Sequence, residues 1–194
     1  MNFDQFTPVY LIGYAIFVAI RGLYDRAGAG QSSTRRTVDP LEIILLALVA
    51  LGVMIVPLVA IFTPLMDQFR FLAFPTVQSA GAIAMVLSLV LFWLSHVYLG
   101  SNFSRTLDVQ EGHELITRGP YRFVRHPMYA AIWLFVIAQA LLLPNWVAAL
   151  SGIAGFAPMY FLRVPREERL MSEQFGSQYE DYQRRTPRLF PRIV

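Results

Sequence analysis

Long apolar blocks that hold few charges constrain this chain more than any other feature. Hydrophobic residues make up 56% of its 194 residues and charged residues only 15%, whereas a soluble domain carries about 25% charged residues. The mean hydropathy is +0.48. Several blocks approach or exceed the roughly 17 residues that a helix needs to cross the hydrocarbon of a bilayer. We therefore predict an all-α, polytopic integral membrane protein with five transmembrane helices, at residues 8–23, 42–62, 77–99, 128–143 and 145–162.

Prolines punctuate these segments. Only Pro144-Asn145 separates the fourth segment from the fifth, which predicts a tight helical hairpin with two short arms. Pro57 is expected to kink the second helix, and Pro165 to kink or restart the fifth. A restart would place Glu167 and Glu168 in the first turn of a new helix, where carboxylates offset the helix dipole.

The distribution of arginine predicts how the chain is oriented. All 16 basic residues are arginine, and they concentrate in residues 21–40, 100–126 and 163–194, with one in the connection 63–76. Positive charge favours the cytoplasmic side. We therefore predict a protein of a prokaryotic cell membrane whose N-terminus lies outside the cell and whose C-terminus lies in the cytoplasm. We also expect a three-helix membrane region (residues 1–99) and a catalytic region with the hairpin and a cytoplasmic tail (residues 100–194).

Missing residue types exclude several classes of site. Without cysteine there are no thiolate metal sites, and without lysine there is no Walker-type motif or lysine-rich tail for nucleic acid. The three histidines lack metal-type spacing, so no metal is predicted. His96 is an ionisable group inside an apolar segment and is a functional suspect for that reason, although we favour a bond to a backbone carbonyl.

Two polar blocks carry the candidate chemistry, and the predicted topology places both in the cytoplasm. In the first, Pro127 suits the first turn of the fourth helix, which puts His126 at its positive end. Arg118, Arg122 and Arg125 could equally anchor lipid headgroups. In the second, Arg163 and Glu167 lie one helical turn apart and could pair. Further on, Tyr179 and Tyr182 share a helical face and are expected to pack.

The two blocks together resemble the isoprenylcysteine carboxyl methyltransferase family. The resemblance lies in His113-Glu114-Leu115-Ile116-Thr117-x-Gly119-x-Tyr121-x-x-x-Arg125-His126-Pro127-x-Tyr129, in Arg163-x-x-x-Glu167-Glu168 and in Phe175-Gly176-x-x-Tyr179-x-x-Tyr182. It implies a cytoplasmic pocket for S-adenosylmethionine, formed by the loop and the C-terminal helices, while a lipophilic or prenylated peptide substrate enters from the membrane. The implied cofactor-binding residues are His113, Glu114, Leu115, Ile116, Tyr121, His126, Pro127, Met128, Tyr129 and Glu167. Thr106 falls where some members place a further cofactor contact, although the residue type there is different. Arg163 matches the substrate-side arginine and is our candidate catalytic residue.

A carboxylate acceptor suits these residues, because it is ionised at pH 7 and needs alignment rather than a general base. The planar fork of Arg163 could supply that alignment. Three alternatives stay open. The first is methylation of another acceptor, by a phospholipid N-methyltransferase or a small-thiol S-methyltransferase. The others are an NADPH-dependent sterol-type reductase and a non-catalytic membrane protein.

Overall fold

The computed structural model describes residues 4–28, 39–100 and 115–191. Over these residues the chain is helical, and its β-type pairing is limited to an isolated bridge between Arg70 and Asn145. The α-helices are α1 (Thr7–Gly28), α2 (Pro40–Ala50), α3 (Val56–Phe62), α4 (Pro75–Leu99), α5 (Pro127–Leu142), α6 (Trp146–Phe175) and α7 (Ser177–Arg185). A π-helical turn (Leu51–Ile55) joins α2 to α3, and short 3-10 helices cover Pro64–Phe69 and Gly119–Arg122.

Four helical stretches in the described part of the chain are long and apolar enough to cross a membrane. They are Thr7–Tyr24, Pro40–Phe62, Pro75–Leu99 and Trp146–Phe175. Helix α5 is also apolar but has only 16 residues, just below the roughly 17 that a spanning helix needs. The predicted all-helical membrane architecture is therefore confirmed at this level.

The second apolar stretch changes its helical geometry just before Pro57. Within the turn Leu51–Ile55 the pattern becomes π-helical, and the Val56 amide donates to the Leu51 carbonyl. Pro57 has no amide hydrogen to donate to the carbonyl of Val53, four residues earlier. The hydroxyl of Tyr10 on α1 donates to that carbonyl at 2.6 Å. The local effect of Pro57 is thus a π-helical turn whose polar backbone is bound by another helix.

Helix α6 corrects the sequence-based prediction at Pro165. It continues without interruption from Trp146 to Phe175, with Pro158 and Pro165 inside it. Of the kink or restart predicted at Pro165, the restart is wrong, and Glu167 and Glu168 lie in the body of α6 rather than in a first turn. Proline removes one backbone donor from a helix. The side chains of Arg163 and Glu167 bridge the same turn at 2.8 Å and help to hold it together.

Two glycines allow α6 to cross the π-helical turn at close range. A Cβ atom on Gly155 would overlap the carbonyl oxygen of Leu48, and one on Gly52 would overlap that of Ser151. Gln139 of α5 lies fully buried beside this crossing, and its amide donates to the carbonyls of Gly52 at 3.0 Å and Ala148 at 2.7 Å. Small residues and buried side-chain hydrogen bonds are the usual means of joining helices in lipid.

Polar contacts gather at two ends of the bundle. At the end that we call the link end, the Phe71 amide donates to the Pro144 carbonyl at 3.2 Å, and the Asn145 side chain donates to the Met66 carbonyl at 2.7 Å. Helix α5, which follows His126 and ends near these contacts, is about 24 Å long at 1.5 Å per residue. The opposite end, which we call the site end, holds the charged residues.

Candidate active site

The segment that leads into α5 is fixed to two other helices. Its 3-10 helix, Gly119–Arg122, begins at Gly119 with φ +61°, a left-handed conformation that favours glycine. The buried Tyr121 hydroxyl lies 3.4 Å from the Ser95 carbonyl of α4, and the Tyr121 carbonyl accepts a 2.5 Å bond from the Tyr182 hydroxyl of α7. Burial raises the pKa of Tyr121, so its phenol stays neutral. The segment is therefore held in place from both sides.

Pro127 is the first residue of α5, as predicted, and His126 immediately precedes it. The C-terminal segment 186–191 lies alongside this start. The Arg125 amide donates to the Pro187 carbonyl at 2.8 Å, and the His126 amide to the Arg188 carbonyl at 3.0 Å. This segment thus fixes the backbone from which the His126 side chain projects.

Glu168 is surrounded by two arginines and a histidine. Its carboxylate lies 2.8 Å from Nη2 of Arg125, 3.2 Å from Nε2 of His126 and 2.6 Å from Nη2 of Arg188. The Glu168 and Arg125 side chains are only 6% and 9% exposed. The hydrogen bond from Arg188 to Glu168 raises the pKa of the arginine. Glu168 therefore joins α6, the start of α5 and the C-terminal segment, and Arg125, one of three candidate lipid anchors, is an internal ion-pair partner instead.

Apart from His126, Glu167 contacts different groups from those around Glu168. Its Oε1 accepts a 2.6 Å hydrogen bond from the Tyr129 hydroxyl and a 2.8 Å bond from Nε of Arg163. The ion pair that the Arg163–Glu167 spacing predicts is therefore present. Its Oε2 lies 3.9 Å from Nδ1 of His126, and its side chain is 23% exposed. The two polar blocks thus meet at one place, and Glu167 is the more accessible of the two adjacent carboxylates.

Arg163 has a second carboxylate partner that the sequence analysis did not identify. Its Nη1 lies 2.7 Å from Oε1 of Glu42, in the first turn of α2. Nearer the solvent, Arg166 and Asp39 form a second pair at 3.0 Å. The signal in the sequence was that Glu42 is an acid directly before 24 uncharged residues, 43–66.

The remaining candidates divide into described and undescribed positions. Leu115 and Ile116 are half-buried in irregular chain, and Met128 is half-buried in the first turn of α5. His113, Glu114 and Thr106 lie outside the described residues. His96 is buried, and its Nδ1 lies 2.8 Å from the Phe92 carbonyl. This is the backbone contact that we favoured for it.

Aromatic rings between α5 and α6 continue from the charged cluster into the bundle. Tyr129 lies 6.0 Å from Tyr160 and 6.1 Å from Phe156 between ring centroids, and Trp133 lies 5.8 Å and 5.2 Å from the same two rings. Within the described part of the chain, the buried Nε1 of Trp133 has no hydrogen-bond partner. The site thus combines carboxylates, an arginine and an aromatic wall with an orphaned donor.

The fold and the site define a class, namely helical membrane proteins with a buried charge cluster at one end of the bundle. Comparison with known protein families adds a match over part of the chain. A family model described as the isoprenylcysteine carboxyl methyltransferase (ICMT) family matches residues 81–173, from α4 to the last turns of α6. This range includes His126, Arg163 and Glu167, and the resemblance predicted from the sequence is confirmed.

Named relatives agree with that match. Over 113 residues the chain is 26% identical to protein-S-isoprenylcysteine O-methyltransferase B of Arabidopsis thaliana, and this match covers 57% of each protein. Over 99 residues it is 30% identical to the protein-S-isoprenylcysteine O-methyltransferase of Schizosaccharomyces pombe, covering 50% of this chain and 42% of that protein. Over 80 residues it is 35% identical to the nickel-cobalt-cadmium resistance protein NccN of Alcaligenes xylosoxydans xylosoxydans, covering 41% and 37%.

A solved structure shares the fold. It is that of the eukaryotic intramembrane Ras methyltransferase ICMT, with a TM-score of 0.56, 23% identity, and coverage of 94% of this chain and 63% of that one. At this identity the likeness concerns the fold alone. The match spans less than two thirds of that protein and of the Arabidopsis relative.

Proposed function

We propose that this protein is an S-adenosylmethionine-dependent methyltransferase of the membrane that methylates the carboxylate of a lipophilic, prenylcysteine-like substrate. The observation that carries the proposal is the meeting of the two polar blocks, with His126 and Glu167 3.9 Å apart and Tyr129 bonded to Glu167 at 2.6 Å. The family match over residues 81–173 supports it.

The chemistry of these residues fits the cofactor. When bound, S-adenosylmethionine supplies a methyl group on a positively charged sulfur. Glu167 offers a carboxylate that can accept hydrogen bonds from ammonium or hydroxyl groups, and Tyr129 and Tyr160 offer aromatic faces that attract cations. The buried donor of Trp133 needs an acceptor, because a buried unpaired donor is costly. In the proposal, Glu167, His126 and Tyr129 hold the cofactor, together with the residues of the first block that the family resemblance implies.

Arg163 is proposed to hold the acceptor. A carboxylate nucleophile at pH 7 needs no base, but it needs a fixed direction and a site without bulk water. The guanidinium stays charged and presents its donors in a plane that matches a carboxylate. Its side chain is 14% exposed, so few waters compete for it. Arg163 would therefore orient the acceptor oxygens toward the cofactor.

The proposed topology has five crossings, with the N-terminus outside and the site in the cytoplasm. The connection 63–76 and the α5–α6 link touch at the link end, as expected if both lie on one side of the membrane. Helices α5 and α6 would form the predicted hairpin. Residues 1–99 would supply a membrane region and residues 100–194 the catalytic region, with Glu42 as a contact between them.

The proposal is tested by titrating detergent-purified protein with radiolabelled S-adenosylmethionine. Wild type should bind saturably, and Glu167→Ala should weaken binding by at least tenfold, since it removes a proposed cofactor contact. Glu173→Ala is the matched control, because Glu173 is an exposed carboxylate on the same helix and should leave the affinity unchanged. Absence of binding by wild type would refute the enzyme assignment.

The acceptor is identified by transfer of the labelled methyl group to three substrates tested in parallel. We expect label in an N-acylated S-prenylcysteine and not in phosphatidylethanolamine or a small thiol. Label in the lipid would instead support a phospholipid N-methyltransferase, and label in the thiol a small-thiol S-methyltransferase. Cofactor binding without transfer to any of the three would retain the cofactor site and leave the acceptor to be sought in membrane extracts.

A further inference from the structure

Two ion pairs connect the start of α2 to α6 in matched register. The inner pair is Glu42–Arg163, at 2.7 Å, and the outer pair is Asp39–Arg166, at 3.0 Å. Asp39, the N-cap of α2, lies three residues before Glu42, and Arg163 lies three residues before Arg166 in α6, so the two pairs lie about one helical turn apart. They differ in environment, because both inner side chains are 14% exposed, while the outer ones are 47% and 48% exposed. An exposed ion pair such as the outer one contributes little to stability. The inner pair is mostly buried and lies within the proposed site.

The inner pair places two carboxylates on one guanidinium. Glu167 binds Arg163 at Nε and Glu42 binds it at Nη1. An arginine side chain has only five N–H donors in one plane. The two glutamates engage two of these donors and bring two negative charges to the guanidinium, so a third carboxylate that approached in this plane would be repelled by both. Replacing one glutamate removes part of that repulsion and frees its N–H donor for the proposed acceptor carboxylate.

We propose that Glu42 is the specificity-determining residue of the acceptor site. It occupies the Nη1 side of Arg163 until the carboxylate of the substrate replaces it. This inference rests on the proposed function. Of the two glutamates, Glu42 is the one that can be released, because Glu167 is also held by the Tyr129 hydroxyl and is joined to Arg163 through one turn of α6.

The exchange discriminates between acceptors by charge. A substrate carboxylate restores a charge-assisted bond to Arg163 in place of the one that Glu42 gives up, and charge-assisted bonds are about twice as strong as neutral ones. A neutral carboxamide of the same shape cannot replace Glu42 without a net loss. An anionic acceptor can thus replace Glu42 at Arg163, and a neutral acceptor cannot.

The test measures binding rather than turnover. Binding of an N-acylated S-prenylcysteine acid and of its carboxamide is followed by tryptophan fluorescence in detergent, with and without S-adenosylhomocysteine. Glu42→Gln keeps the size of the side chain and removes its charge, so it should tighten binding of the acid at least fivefold and change binding of the amide less than twofold. Asp39→Asn is the matched control and should change neither. Glu42→Ala, tested in parallel, should show the same preference for the acid.

Several outcomes would overturn the proposal. Weaker binding of the acid to both Glu42 variants would make Glu42 a supporting residue of the site rather than a competitor. Equal changes for the acid and the amide would remove the charge argument. If neither variant folded, Glu42 would be required for the fold and could not be released during binding. Binding of labelled S-adenosylmethionine by wild type is scored separately, so its absence would refute the proposed function, while the acid and amide comparison would still report on Glu42.

Discussion

Replacing Glu168 by glutamine should destabilise the protein through Arg125. The substitution keeps the shape of the side chain but removes the charge that faces Arg125 at 2.8 Å, in a pair with exposures of 6% and 9%. Removing one partner of such a pair leaves an uncompensated buried charge, at a cost of about 3–5 kcal/mol. Arg188 adds little, because it is half exposed and an exposed pair contributes about 0–1 kcal/mol. Since glutamine can still accept a hydrogen bond, we expect a loss of about 3 kcal/mol.

The assay is thermal unfolding of the detergent-purified protein. A chain of 150–250 residues loses about 2–4 °C in Tm for each kcal/mol, so Glu168→Gln should lower Tm by about 6–12 °C. The C-terminal segment should become sensitive to protease first, because Arg125 also donates to the Gln183 and Thr186 carbonyls and would carry an unbalanced charge there.

Two variants separate the contributions. Arg188→Ala removes the exposed partner and should cost no more than about 1 kcal/mol, and Glu173→Ala should be silent. A Tm of Glu168→Gln within 2 °C of wild type would refute the reasoning. An equal loss in Arg188→Ala would also contradict it, because the stabilisation would then come from the exposed pair.

Two further predictions concern the helices. Gly155→Ala places a methyl group against the Leu48 backbone carbonyl and should cost about 1–3 kcal/mol by overpacking, whereas Gly22→Ala, with open space around it, should be neutral or slightly stabilising in thermal unfolding. The chain has no cysteine, so single cysteines report topology without background. In intact cells an impermeant maleimide should label Gln68→Cys at the link end and should label Glu180→Cys in α7 only after permeabilisation, and the reverse pattern would invert the proposed orientation.

The sequence predicted the helices better than their ends. Four of the five apolar segments are close to the observed helices, because long apolar runs follow from the requirement that backbone groups in lipid bond within their own helix. The end of the fifth was missed. Hydropathy falls after Leu162, and Pro165 suggested a break, yet α6 continues to Phe175. Local rules for proline do not take into account the Arg163–Glu167 ion pair, which bridges the turn that contains Pro165.

The contacts of the candidate site divide by their distance along the chain. The Arg163–Glu167 pair was predictable, because residues four apart share a helical face. The Glu42–Arg163 pair joins residues 121 positions apart, and hydropathy does not tell which helices are neighbours. The crossing at Gly52 and Gly155 brings α2 and α6 together. It requires that neither position carry a Cβ atom, and this requirement is visible only once the two helices are known to be neighbours.

The adjacent residues Glu167 and Glu168 show why a motif alone does not assign roles. Successive residues in an α-helix point about 100° apart, so the two carboxylates face different surroundings. Glu168 meets Arg125, His126 and Arg188 and is buried among them, and its charge is therefore used to join segments of the fold. Glu167 meets Tyr129 and Arg163 and stays more exposed, so a ligand can reach it. The same substitution should accordingly lower Tm at position 168 and cofactor affinity at position 167, and a variant pair that changed both quantities equally would contradict this division.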